Sequence, residues 1–251
     1  MARITAVDIA SFAEASAARI AELVERSVAN RGVAHMALTG GHTPEVTYAA
    51  LADPARPHRD RIDWSRVHLY WGDERHVPPN HPDSNFGMAE RTLVGHIPIP
   101  AANVHRIRAE LPDARSAAAQ YERELPNAFD VMLLGLGDDC HIASIFPGSE
   151  LLSSWGGPRQ ADDLRPATME KVAAVFVPHL ESWRITLTPP ALLGSNAIVM
   201  LVTGASKAAA VAAAIDRPPD VTRYPGQLLR AASDRVEWIV DTAAAGRLES
   251  R

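Results

Sequence analysis

The chain has one cysteine, Cys140, in 251 residues. That excludes an internal disulfide and a cysteine-rich zinc site, and it fits a reducing compartment. Its 25 Lys and Arg are scattered among 30 Asp and Glu. No basic run can neutralise a row of phosphates, so nucleic acid is not an expected partner. No apolar stretch approaches the roughly 20 residues of a membrane span, and Asp8 and Glu14 interrupt what would have to be the apolar core of a secretion signal. These absences lead us to expect a soluble cytoplasmic protein with no membrane association and no obligate protein partner. Repeats, low-complexity tracts and interior linkers are also missing. A chain of 27.1 kDa is therefore expected to fold as one α/β domain over residues 1–251.

What is present is a recurring strand, turn and helix. Ile4 to Ile9 reads as a strand, and Ser11 to Asn30 carries Phe12, Ile20, Leu23, Val24 and Val28 at helical spacing before Gly32. Val33 to Leu38 is a buried strand leading into Thr39-Gly40-Gly41-His42-Thr43-Pro44. There Thr43 is expected as the N-cap of the next helix and Pro44 as its first residue. Val67 to Trp71 is a strand ending in Gly72-Asp73-Glu74-Arg75, Ser84 caps a helix to about Leu93, and Asp113 caps another through Leu125. Val131 to Leu134 is apolar, too short for a helix, and ends at Gly135 and Gly137, as an interior strand does. Further strands are expected at Val172 to Val177, Arg184 to Leu187, Ala197 to Val202 and Val236 to Val240. A turn at Gly204 to Lys207 and helices from Ala208 and Pro225 complete the pattern, and Gly148 to Lys171 reads as a surface excursion or lid. The alternation predicts a mainly parallel sheet with helices on both faces and a smaller satellite from the irregular middle.

In such sheets ligands bind at the carboxyl ends of the strands, where the following helices present their amino ends. The residues there are Gly40, Gly41 and Thr43, then Asp73 and Arg75, then Asp139 and His141, then Lys207. The glycine turn lacks the spacing of the dinucleotide and ATP motifs, and suits a single phosphate. In an extended strand Asp73 and Arg75 share a side and Glu74 faces away, which gives the anion a planar guanidinium fork. His141 is placed as a general base with Asp139 to orient it. The carboxylates and histidines show no zincin spacing, so no metal is expected. Lys207 suits a second anion contact, and Arg184 is a further candidate. Each has an ordinary alternative: a turn that binds nothing, a surface ion pair, a loop histidine, a solvated lysine.

Five blocks in order, LTGGHTP, LYWGDERHVPPNHPDSN, LLGLGDDCHIASIFPGS, RITLTPPAL and VTGASKAAAV, span Leu38 to Val211 and resemble the 6-phosphogluconolactonase family. The resemblance implies a Rossmann-like sheet with a smaller subdomain, hydrolysis of 6-phosphoglucono-δ-lactone, and no metal or organic cofactor. By position, His141 resembles the family's base and Arg75 its cationic partner, either on the phosphate or on the developing oxyanion. Gly40, Gly41, Thr43, Lys207 and Arg184 resemble the sugar-phosphate site, and Asp73 and Asp139 the groups that orient it. Cys140 stands where the family pattern has glycine, and Ile142 where threonine is frequent. A positive φ at that position would strain a cysteine. Two rivals share the pocket. A deaminase or isomerase of the same fold would carry Asp-Glu-Tyr at Asp73-Glu74-Arg75, and A-F-N-E-P in place of Ala143-Ser144-Ile145-Phe146-Pro147. A sensor that lost catalysis through Cys140 would bind 6-phosphogluconate without turnover.

Overall fold

The computed structural model describes residues 3–153 and 170–249. Most of the excursion expected over 148–171, from 154 to 169, lies outside the described residues. Six parallel strands form the larger sheet: β1 (Arg3–Val7), β2 (Ala34–Leu38), β3 (Val67–Trp71), β5 (Val131–Leu134), β8 (Ile198–Val202) and β9 (Val236–Asp241), in spatial order β1-β9-β8-β5-β2-β3. Every residue of β5, β8 and β9 is buried, so both faces of the middle of the sheet are covered. Three antiparallel strands, β4 (Asp73–Arg75), β7 (Ser182–Leu187) and β6 (Val172–Val177), form a separate small sheet. This is the satellite expected from the irregular middle.

Strand β3 has the expected bounds, and the extended geometry resumes at Asp73-Glu74-Arg75 as β4, with Gly72 between them. The Gly72 N–H donates to Leu38 O of β2 at 2.8 Å, and its carbonyl accepts from Leu187 N of β7 at 2.8 Å. One residue thus bonds into both sheets, and the chain changes partners there because β4 pairs with β7 and not with β2.

The helices begin and end where backbone chemistry allows. Helix α1 (Ile9–Arg31) is capped by the Asp8 side chain, which accepts from Ser11 N, and ends at Gly32 with φ +78°. It buries Phe12, Ser16, Ala17, Ile20, Ala21 and Val24, which recur at three- and four-residue spacing. Helix α2 spans His42–Ala52 and corrects an expectation: its N-cap is Gly41, at φ +108°, with no side-chain cap. Glycine tolerates that conformation, so the helix starts two residues before Pro44. Pro44 still sits in the first turn, where its missing N–H leaves no bond unmade. A short α3 (Pro57–Arg61) precedes β3, α4 (Asn85–Thr92) is capped by Ser84, and α5 (Ala114–Glu122) by Asp113. Helix α6 (Pro189–Leu193) follows β7, and α7 (Ala208–Ile215) follows β8. Pro225–Ala232 is a 3₁₀ helix.

Two buried tyrosines fix the strand ends that face the cavity. The Tyr48 hydroxyl donates to Thr39 O and accepts from Thr39 N, both at 2.9 Å, at the end of β2. Tyr121 does the same for Trp71 at the end of β3, at 2.9 and 2.7 Å. Each hydroxyl satisfies two backbone groups where a strand stops and its ladder runs out. Burial pushes both phenols well above their usual value.

Candidate active site

A cavity of about 650 Å³ opens at the carboxyl end of the larger sheet, against the small sheet. All nine residues singled out in the sequence line it: Gly40, Gly41, Thr43, Asp73, Arg75, Asp139, His141, Arg184 and Lys207. The sheet order explains the meeting. Strand β5 has β2 and β8 as neighbours, so the loop carrying His141 is flanked by the Gly40–Gly41 turn and by the Gly204 turn, whose φ is +99°.

The His141 loop is a tight turn in which Cys140 N donates to Gly137 O and Gly137 N to His141 O, both at 2.9 Å. Asp139 Oδ1 receives His141 N at 3.1 Å and lies 2.6 Å from His141 Nδ1. A carboxylate only accepts, so Nδ1 carries the proton and Nε2 is left with its lone pair. Burial raises the Asp139 carboxyl, but the bonds from His141 outweigh it and hold the group below the usual carboxylate value. Phe146 packs its ring 4.2 Å from that of His141, centroid to centroid.

Cys140 has φ +70°, the left-handed conformation in which a β-carbon costs energy. Its side chain is only 1% exposed, and Sγ lies 3.6 Å from Ala210 O. A β-carbon at Gly226 would come within 3.0 Å of this sulfur, so the glycine leaves it room. Burial pushes the thiol up to about 11. A protonated, enclosed thiol cannot act as a nucleophile beside His141.

Strand β4 divides its side chains as the period of two requires, with Asp73 and Arg75 toward the cavity. Glu74 points the other way, 2% exposed, and accepts from Asn85 N, Phe86 N, Arg75 N and the Ser84 hydroxyl at 2.7 to 3.1 Å. Burial raises its pKa against the pull of those donors. It ties β4 to the amino end of α4, a favourable place for a carboxylate. Asp73 Oδ2 receives the Ser144 hydroxyl at 2.6 Å, and Asn85 Nδ2 donates to Asp73 O at 2.9 Å and Oδ1 at 3.3 Å. A β-carbon at Gly40 would lie 1.7 Å from Asn85 Oδ1, so this glycine is required by the approach of that amide.

Arg75 and Arg184 are directly opposed in the register of β4 and β7. Arg75 Nη1 donates to Asp83 O at 2.5 Å; Arg184 Nη1 donates to the Ser182 hydroxyl at 2.6 Å and Trp183 O at 3.1 Å. Burial, then the charge of Arg75, lowers the Arg184 pKa. Opposed like charges cost stability unless an anion lies between them. Lys207 Nζ stands 2.8 Å from Asp138 Oδ1. Thr43, expected as a helix cap, instead bonds hydroxyl to hydroxyl with Thr203 at 2.8 Å, joining the two turns. The sequence reading assigned no role to Asn85, Ser144, Thr203 or His179, which also line the cavity. Asn85, Ser144 and Thr203 lie inside the quoted blocks, and that was the available signal. Among the described residues no group of three or more His, Cys, Asp or Glu is arranged to hold a metal ion, and no helix is long and apolar enough to cross a membrane.

Residues 8–238 match the family described as glucosamine-6-phosphate isomerases/6-phosphogluconolactonase. The 6-phosphogluconolactonase of Haemophilus influenzae is 36% identical over 217 residues, covering 84% of this chain and 85% of that protein. That of Streptomyces coelicolor is 35% identical over 252 residues, covering 94% and 90%. Among solved structures, the 6-phosphogluconolactonase of Trypanosoma brucei superposes with a TM-score of 0.81 at 26% identity, over 99% of each chain. A monomeric glucosamine-6-phosphate deaminase superposes with a TM-score of 0.80 at 18% identity, which speaks for the fold alone.

Proposed function

The chain belongs to the family of glucosamine-6-phosphate isomerases and 6-phosphogluconolactonases, and from that premise we infer that it is a lactone hydrolase, converting 6-phosphoglucono-δ-lactone to 6-phosphogluconate. The observation that carries the mechanism is the Asp139–His141 pair, with Nε2 left free in a cavity that also holds Arg75, Arg184 and Lys207. A water on Nε2 gives up its proton as it attacks the lactone carbonyl. The imidazolium, held by Asp139, then returns a proton to the departing ring oxygen. The sugar phosphate lies against the Gly40–Gly41 backbone, Thr43, Lys207 and the arginine pair. Arg75 is read as a phosphate ligand because it opposes Arg184 in register, and two like charges held side by side suit one dianion. Asp73, fixed by Ser144 and Asn85, faces the sugar hydroxyls.

The test is acid release from freshly made 6-phosphogluconolactone, measured above the spontaneous rate, with glucosamine 6-phosphate and ammonia detection alongside. Acid release without ammonia is expected. His141→Ala should lose turnover by about 10²- to 10⁴-fold while still binding 6-phosphogluconate. Full activity in that variant would remove His141 from the base position, and ammonia release would favour the deaminase reading. Binding of 6-phosphogluconate without turnover in the unaltered protein would favour the sensor.

A further inference from the structure

Three carboxylates line the cavity beside its three cations, and they are held differently. Asp73 is buried and bonded to Ser144 and Asn85, and Asp139 is bonded to His141. Asp138 contacts Lys207 Nζ at 2.8 Å and the Ser206 hydroxyl at 3.4 Å, yet 68% of its side chain is exposed. The hydrogen bond from Lys207 is the main reason its carboxyl stays below the usual value. Asp138 therefore stays ionised wherever a phosphate ester is a dianion.

We propose that Asp138 is an internal competitor for the phosphate site: its carboxylate occupies Lys207 in the free protein and is displaced when the substrate's phosphate arrives. This rests on the reading of Lys207 as a phosphate contact. An ion pair whose carboxylate is open to solvent is weakened by hydration and screening, so a dianion can displace it. Once displaced, Asp138 remains within reach of the bound phosphate as a like charge and favours its departure. The placement is specific to the fold. Asp138 sits on the loop after β5 and Lys207 at the turn after β8, on neighbouring strands, so the competitor reaches the cation from the loop that carries the base. Its main effect falls on affinity and release, because neither atom of the pair contacts His141.

The experiment measures inorganic phosphate and 6-phosphogluconate binding by calorimetry at low and high salt, with gluconate as the phosphate-free control. It compares the unaltered protein with Asp138→Asn, Asp138→Ala and Lys207→Ala. Asp138→Asn keeps the shape and removes the charge. It should bind both phosphate ligands about fivefold more tightly at low salt, with the gain shrinking as salt screens it. KM should fall by a similar factor, and gluconate binding should not change. Asp138→Ala should behave likewise. Phosphate affinity in both Asp138 variants no higher than in the unaltered protein, while Lys207→Ala loses affinity, would overturn the competitor and leave the phosphate site standing. Unchanged phosphate affinity in Lys207→Ala would overturn both. An equal gain for gluconate would also overturn the proposal, since it would show a general loosening of the cavity. Phosphate binding that follows the prediction in a protein without lactone turnover would uphold the competitor and reject the hydrolase.

Discussion

Gly137 lies against the His141 ring so closely that a β-carbon there would stand 2.0 Å from Nδ1 and 2.6 Å from Asp139 Oδ1. The glycine is the floor on which the imidazole rests. Gly137→Ala should push the ring off its position and lower kcat by about 10²-fold, the order expected for an ångström of misplacement. Overpacking should cost about 1–3 kcal/mol of stability. Steady-state assays paired with urea denaturation check both, and normal turnover in a folded variant would contradict this account.

Arg184 stands where its charge is disfavoured. It is half-buried and opposes Arg75, and both features disfavour its charge. Arg184→Ala should raise KM about 10- to 100-fold, the value of a hydrogen bond to a charged group, while the melting temperature holds or rises. Arg184→Lys should recover little, because an ammonium lacks the fork that binds two phosphate oxygens.

A second titratable group lies away from the cavity. His35 and His68 are cross-strand neighbours near the amino ends of β2 and β3, and His68 Nδ1 lies 2.9 Å from His105 Nε2, whose ring stacks on Tyr70. Burial holds all three histidines below their usual value. The charges of His68 and Arg31 add to this at His35; at His105 His68 adds to it and Glu124 opposes it. A depressed histidine takes up its proton later in the folded chain than in the unfolded one. The stability it confers is complete above about pH 6.5 and is lost as pH falls below that. Urea midpoints should drop between pH 7 and pH 5, and His68→Phe combined with His105→Phe should flatten that slope. An unchanged slope in the double variant would assign the acid sensitivity elsewhere.

Cys140 gives the opposite sign. Its thiol, raised to about 11, keeps its proton in the folded chain after the unfolded chain has lost it. The stabilisation is complete below about pH 8.5 and disappears as pH rises toward 11, about 3 kcal/mol in all. Cys140→Gly should abolish this alkaline loss. At neutral pH its net effect should be within about 1 kcal/mol, since relief of a left-handed β-carbon offsets the lost packing of Sγ. Turnover should persist, because Gly137 and Asp139 set the imidazole. A native protein that reacts with thiol reagents as fast as the unfolded chain would show that the sulfur is not enclosed.

The parallel sheet and all nine cavity residues were legible because they follow from strand ends and glycine turns, features local in sequence. Three things were not. The break at Gly72 depends on which strand lies beside β4, and Ser182–Leu187 is more than 100 residues away. The cap at Gly41 depends on a φ that any glycine permits and none announces. The roles of Asn85 and Ser144 arise only when α4 and the β5 loop meet Asp73. The strain at Cys140 could be anticipated from a motif, but the space that accommodates it is made by Gly226, 86 positions later.

Gly72 gives its N–H to one sheet and its carbonyl to the other. The larger sheet supplies the imidazole, the glycine turn and the lysine; the smaller supplies both arginines. The cavity is therefore a seam, and whatever anion it holds is gripped from both banks. A bound phosphate would act as a second rivet beside Gly72, with its oxygens joining β7 to the turns after β2 and β8. Occupancy and the cohesion of the two sheets would then be one quantity, and under the proposed reaction each turnover would close and reopen a joint in the protein itself.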